Sequence, residues 1–297
     1  MQPTRETGGA LLYVPEEQAL ATAVASSAGL AALAIERHRF PDGELRLCLP
    51  PALPARVVVW RGLHQPNEKL VELLLVAQTA RDLGAQELTL VAPYLGYMRQ
   101  DMAFRPGEAV SQRIVGRFLA GLFDAVITVD PHLHRVATLQ EAVPVARAVV
   151  LSGAPLLAEH IARVRGPVVL LGPDEESLQW VASAARLHGW KHAVCHKTRH
   201  GDREVDIVLP KMALAGEAVV LIDDVASSGQ TLVRAAELLK AAGARSVDVA
   251  VTHALLEEAA LARIHQAGVG AFWSTDAVAH PTNAVSIANA VAGALRG

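Results

Sequence analysis

Short apolar runs rich in β-branched residues recur along the chain, and longer amphipathic stretches fall between them. The runs "ALLYV", "LAIERHRF", "ELRLCL", "RVVVW", "ELTLVAP" and "AVITVD" read as strands in the first half. In the second half "PVVLLGP", "HAVCHK", "DIVLP", "AVVLIDD", "SVDVAVTHA" and "GAFWSTD" read the same way. Between them, "NEKLVELLLVAQTARDLGA" puts apolar residues at Leu70, Leu73, Leu74 and Ala77, and this spacing of three and four predicts a helix. The uncharged, Ala-rich segment from Ala19 to Ile35 also reads as a helix, too short and too weakly apolar to span a bilayer. The terminal "NAVSIANAVAGALRG" reads as a closing helix.

Strands alternating with helices predict an α/β protein with mostly parallel sheets flanked by helices. The series runs twice, over residues 1–150 and 151–297, and near its end each half has a strand, a polar turn and a helix. Two similar domains are expected, closely packed because no low-complexity linker separates them. The C-terminal helix is left free to pack back on the first domain.

Composition narrows the function. Of the 297 residues 52% are hydrophobic, enough for real cores, and the formal charge of −3 argues against a general nucleic-acid or membrane-surface binder. Any polyanion must therefore be held by local charge. Cys48 and Cys195 lie far apart without metal-type spacing, and the N-terminus shows no signal-peptide pattern, so a reduced cytoplasmic protein is expected.

Ligands of open α/β sheets sit beyond the strand ends, which singles out "VVLIDDVASSGQTL", Val219 to Leu232. The segment Ser227, Ser228, Gly229, Gln230 and Thr231 offers backbone amides, hydroxyls and the positive end of a helix, a cradle for one phosphate. It lacks a Walker-type lysine and so suits a terminal monoester. Asp223 and Asp224, just upstream, suit sugar hydroxyls. Together they describe a ribose 5-phosphate site; the plainer reading of the Asp pair is a helix-capping turn.

This stretch resembles the phosphoribosyl-pyrophosphate motif shared by type I phosphoribosyltransferases and ribose-phosphate diphosphokinases (phosphoribosyl pyrophosphate synthetases). Four further stretches favour the synthetase family. "RFPDGE" resembles its adenine-contacting hairpin, which implies nucleotide contacts for Phe40, Asp42 and Glu44, donated by a neighbouring subunit of a homo-oligomer. "PYLGYMRQDMAFRPGEAVS" resembles its ATP segment, which implies ATP contacts for Arg99 and Gln100 with Asp101 close by. "TVDPHLH" matches a metal-ligating histidine at His132; spacing alone would leave a structural histidine, and only the resemblance favours His132 over His134. "LLGPDEES" and "CHKTRHGDREVD" imply a metal-holding Asp174 and two catalytic cations, Lys197 and Arg199, in a mobile loop.

The resemblance covers essentially the whole chain and implies two type I phosphoribosyltransferase-like domains. It further implies Mg²⁺-dependent transfer of the diphosphoryl group of ATP, a co-substrate, to the 1-hydroxyl of ribose 5-phosphate. Neither nucleic acid nor membrane is an expected partner. Two departures stand out: Ser227 replaces an acidic residue common in the family, although shorter, archaeal-type members also carry serine, and Glu175, Glu176 and Ser177 replace Ala-Gly-Gly. A type I phosphoribosyltransferase and a non-catalytic, synthetase-associated homologue are the alternatives.

Overall fold

A computed structural model describes residues 8–200 and 204–297, with side chains at 8–196 and 207–297. The chain forms two units, one built from residues up to Leu151 together with Ala288–Gly297, the other from Ser152–Ile287. The first contains β1 (Ala10–Tyr13), α1 (Gln18–Ala28), β2 (Ala31–Ala34), β3 (Glu36–Arg39), β4 (Leu45–Cys48), β5 (Arg56–Trp60) and α2 (Pro66–Asp82). It continues with β6 (Glu87–Ala92), α3 (Ser111–Ala120), β7 (Ala125–Val129), α4 (Leu139–Ala142) and β8 (Arg147–Leu151). The second contains α5 (Ala154–Arg165), β9 (Val169–Gly172), α6 (Leu178–His188), β10 (His192–Val194), β11 (His196–His200) and β12 (Glu204–Val208). After these come β13 (Ala218–Ala226), α7 (Gln230–Ala241), β14 (Ser246–Ala254), α8 (Glu258–Gln266), β15 (Val269–Thr275) and β16 (Asn283–Val285). The last element, α9 (Ala288–Arg296), returns to the first unit.

The two units share one plan. Their six-stranded sheets run β2-β1-β5-β6-β7-β8 and β10-β9-β13-β14-β15-β16, and every neighbouring pair is parallel. Each unit also carries an antiparallel hairpin between its second and third sheet strands, β3–β4 in the first and β11–β12 in the second. Central strands such as Val57–Val59 and Val219–Ile222 are wholly buried, as expected where helices cover both faces of a parallel sheet. Helix α5 packs on α6 and on the edge strand β16, and α9 packs on α1 and on β8 in the matching way. Arg147 donates to the Ala294 carbonyl at 2.8 Å, and Arg56 donates to that of Leu295, which ties α9 down.

Several expectations need correction. The Ala-rich segment is not one helix to Ile35: Gly29 takes the left-handed conformation (φ 71°), which ends α1. Residues Ala31–Ala34 then pair with β1, so sheet pairing overrides the helix preference of alanine. "LAIERHRF" divides between β2 and the hairpin strand β3. In α2 the buried stripe contains Leu73, Val76, Ala77 and Ala80, while Leu74 is exposed and Glu72 is buried. Glu72 lies inward because it bonds Arg61 Nε at 2.7 Å and Arg37 at 2.6 Å, and a paired carboxylate is the kind that can be buried. The closing helix begins only at Ala288, since Asn283–Val285 adds the last strand to the second sheet.

Gly116 on α3 lies where any Cβ would fall 1.8 Å from the Ala142 carbonyl oxygen, so only glycine allows α3 to meet α4. Gly116→Ala is expected to cost about 3 kcal/mol, read as a lower urea midpoint at unchanged slope. The exposed neighbour Arg117→Ala should stay within about 0.5 kcal/mol of the parent.

Candidate functional site

In the second unit the candidate chemistry gathers where β9 and β13 end. Strand β13 runs on to Ala226, so Asp223 and Asp224 lie within the strand and not in the loop after it. Asp224 is 3% exposed, and its backbone amide donates to Asp223 Oδ1 at 3.0 Å. Burial, the neighbouring carboxyl of Asp224 and the charge of Asp174 push the Asp223 carboxyl well above the usual carboxylate range. A carboxylate offers oxygen ligands, the kind that a hard divalent cation prefers.

Asp174 follows β9 and is shaped from beneath. The buried Ser177 hydroxyl donates to the Asp174 carbonyl at 2.6 Å, and a Cβ on Gly172 would fall 1.9 Å from that hydroxyl. Ser177, one of the unusual residues here, therefore holds the turn that presents Asp174. Glu175 accepts from or donates to His196 Nδ1 at 2.8 Å according to their proton positions, so this acid engages the base of the β11–β12 hairpin. The register of that hairpin pairs Lys197 with Ile207 and Arg199 with Val205 along the backbone. The side chains of Lys197 and Arg199 lie outside the described residues.

After β13 the loop is short: Ser227 and Ser228 are exposed, Gly229 is buried with φ 74°, and α7 starts at Gln230. The first amides of a helix have no partner within it, and such a helix start suits an anion. The Ser228 hydroxyl accepts from the Gln230 amide at 3.5 Å. A Cβ on Gly229 would sit 2.9 Å from Ile264 Cδ1.

The first unit has its own concentration of unusual geometry. The only non-glycine residues with positive φ among those described are Gln65 (49°), Tyr97 (64°) and Asp130 (36°). They follow β5, β6 and β7, all at the carboxyl edge of one parallel sheet. Backbone strain of this kind costs on the order of 1–3 kcal/mol per residue and collects at functional sites. The Tyr97 turn leads directly to Arg99, exposed, Gln100, half-buried, and Asp101, buried. Gln100 Nε2 donates to Glu108 at 2.8 Å, and its Oε1 accepts from Ser111 at 3.0 Å. Past Asp130, His132 lies edge-on to His134 with ring centroids 4.0 Å apart.

Phe40, Asp42 and Glu44 stand on the exposed tip of the β3–β4 hairpin. Phe40 packs edge-on against His38 at 4.9 Å, and Asp42 accepts the Glu44 amide at 3.1 Å. The hairpin is fastened to α2 by Arg37–Glu72 and Arg39–Glu68 ion pairs.

Sequence reasoning missed the counterpart of the phosphate loop in the first unit, between β5 and α2. There Glu17 accepts the Gly62 amide at 3.1 Å and pairs with Arg61 at 2.7 Å. Lys69 donates to the Gly62 carbonyl at 2.7 Å, and burial with the nearby Arg61 charge holds its ammonium pKa down to about 8. This loop is thus closed by the chain's own carboxylate. The signal was the duplicated strand order, which is invisible in the weak internal similarity of the residues.

Gly229→Ala adds left-handed strain to the Ile264 clash, and a loss of about 1–2 kcal/mol is expected. Thermal melts with and without ribose 5-phosphate test the loop: the ligand-induced rise in midpoint seen with the parent should shrink or vanish in the variant.

Residues 10–122 match the N-terminal domain of ribose phosphate pyrophosphokinase, and residues 145–270 match the phosphoribosyl transferase domain. The ribose-phosphate pyrophosphokinase of Methanopyrus kandleri is 38% identical over 265 residues, covering 88% of this chain and 89% of the relative. That of Halobacterium salinarum is 34% identical, covering 96% of this chain and 100% of the relative. The crystal structure of phosphoribosylpyrophosphate synthetase from Mycobacterium smegmatis superposes with a TM-score of 0.81 at 25% identity, covering 97% of this chain and 98% of that one. With this identity and coverage, the chain belongs to the ribose-phosphate pyrophosphokinase family.

Proposed function

We propose that this protein is a ribose-phosphate diphosphokinase, transferring the diphosphoryl group of ATP to the 1-hydroxyl of ribose 5-phosphate to give phosphoribosyl pyrophosphate and AMP. The observation that carries the reading is the junction of Asp223 and Asp224 with the Ser227–Gly229 loop at the end of β13. Amides at the start of α7 and the hydroxyls of Ser227, Ser228 and Thr231 bind the 5-phosphate, while the two carboxyls accept from the ribose hydroxyls. The sugar 1-hydroxyl then attacks the β-phosphorus in line. The bond from that phosphorus to the α,β-bridging oxygen breaks, AMP departs, and the hydroxyl proton is released. No covalent enzyme intermediate is required, since positioning and charge neutralisation suffice. Lys197 and Arg199 counter the charge that spreads over the phosphoryl oxygens.

The nucleotide is assigned to Arg99, Gln100 and Asp101, together with Phe40, Asp42 and Glu44 of a neighbouring copy in a homo-oligomer. The exposed hairpin tip supports that sharing, because Phe40 is 39% exposed in its own chain. Mg²⁺ is the proposed ion, and His132 and Asp174 are its proposed ligands. A carboxylate such as Asp174 is the kind of ligand that suits a hard cation, which when bound would neutralise phosphate charge. A cytoplasmic location is supported by two free cysteines, Cys48 and the buried Cys195, whose thiol burial pushes up to about 11. No described helix is long and apolar enough to cross a membrane.

The deciding assay supplies purified protein with ATP, Mg²⁺ and ribose 5-phosphate and follows AMP. AMP is expected only when the sugar phosphate is present; folded protein that yields none above the no-sugar control, across several divalent metals, would refute the reading. Lys197→Ala should lower turnover by about a hundredfold, and full turnover in that variant would remove the hairpin cation from the mechanism.

A further inference from the structure

Asp101 and Arg135 lie on loops that leave neighbouring strands of one sheet. Asp101 follows β6 in the Arg99–Asp101 turn, and Arg135 follows β7, three residues past His132. The Asp101 side chain is 1% exposed, and its Oδ1 accepts from Arg135 Nη1 at 2.6 Å. Its Oδ2 is buried and has no hydrogen-bond partner. Arg135 is 54% exposed at its side chain, so the pair is one-sided: a deeply buried acid held by a cation at the surface.

The rest of the turn is held from the other side. Gln112, fully buried on α3, donates its side-chain amide to the Met98 carbonyl and its backbone amide to the Gln100 carbonyl, each at 3.1 Å. Glu108 accepts from Gln100 and from the amides of Phe104 and Arg105, at 2.7 and 3.0 Å for the last two. These bonds fix residues 98–105 to one another and to α3. The Arg135–Asp101 bond instead joins this assembly to the segment that carries His132.

An exposed ion pair contributes little, but removing the cation from a buried carboxylate leaves a charge without compensation. The turn would relieve that cost by moving Asp101 towards water, and Arg99 and Gln100, its immediate chain neighbours, would move with it. The unpartnered Oδ2 sharpens the point, because Asp101 keeps acceptor capacity that nothing in the fold consumes.

We propose that Arg135 is a positioning residue for nucleotide binding, acting through Asp101 to hold the Arg99–Asp101 turn in register with the His132 segment. This rests on the assignment of ATP to that turn in the preceding subsection. Arg135 carries no role in the motifs that identify the family segments above, and its neighbours in "DPHLHR" hide it as an ordinary loop cation.

The test compares the parent with Arg135→Ala, Arg135→Lys, Asp101→Asn and the Arg135→Ala/Asp101→Asn double variant. KM for ATP, KM for ribose 5-phosphate and equilibrium ATP affinity by calorimetry are measured for each. In Arg135→Ala, KM for ATP should rise and affinity fall by about tenfold or more, as loss of a charged hydrogen bond implies. KM for ribose 5-phosphate should stay within about twofold, since that substrate is held elsewhere. Arg135→Lys should recover part of the loss, and the double variant should bind ATP no worse than Asp101→Asn alone. Additive losses in the double variant, equal changes in both KM values, or unchanged ATP affinity in Arg135→Ala would each overturn the proposal. If Arg135→Ala does not fold, the near-isosteric Asp101→Asn carries the same split between substrates, and an even loss across both overturns it. If the parent makes no sugar-dependent AMP, the functional reading fails on its own, and calorimetric ATP affinity still decides the role of Arg135. A parent that binds no ATP overturns both.

Discussion

Parallel pairing is the constraint on which this molecule depends. A strand can lie parallel to its neighbour only after the chain has crossed back over the sheet, so every strand in a sheet delivers its carboxyl end to the same edge. Six parallel strands in each unit therefore bring together loops that are far apart in sequence. Asp174 and Asp223 are 49 residues apart, yet the charge of Asp174 acts on Asp223 because β9 and β13 are adjacent. The turn at Asp101 and the loop at Arg135 meet for the same reason, since β6 lies beside β7.

What the shared plan does not fix is what each edge holds. In the second unit the Asp223 carboxyl is held well above the usual carboxylate range by burial, by Asp224 and by the charge of Asp174, a setting that favours a hydroxyl-bearing ligand. The equivalent loop in the first unit is sealed internally by Glu17, Arg61 and Glu72. The same fold thus carries one open cradle and one closed one, and a few side chains decide which. The buried Arg61–Glu72 pair also explains why the hairpin with Phe40 at its tip is anchored at its base: Arg37 on β3 shares Glu72.

Much of this was legible in the residues. The apolar runs located the core strands because buried parallel strands leave little room for polar positions, and the Val219–Leu232 string carried its own chemistry. Elements whose identity depends on a partner were harder to read. Ala31–Ala34 is helix-forming by composition and becomes a strand only beside β1. Arg147–Leu151 is partly exposed at a sheet edge and is defined by its pairing with β7. The burial of Glu72 could not be read from its helix, because its two arginines, Arg37 on β3 and Arg61 just after β5, come from separate parts of the chain. Ser177 looked like a departure from the family pattern, and its function as a brace beneath Asp174 needs the close approach of Gly172 to be seen.

The return of α9 to the first unit has a consequence for how the chain is made. Helix α9 stands against α1 and β8 as α5 stands against α6 and β16, so the first unit receives its matching helix from residues 288–296. On a ribosome those residues appear only after Ser152–Ile287, and at roughly 5–20 residues per second that is a delay of about 7–27 s. During that interval α1 lacks the helix it later packs against. The first unit to be synthesised is therefore the last to be finished, and the second unit can complete its own helix layer while the first still waits.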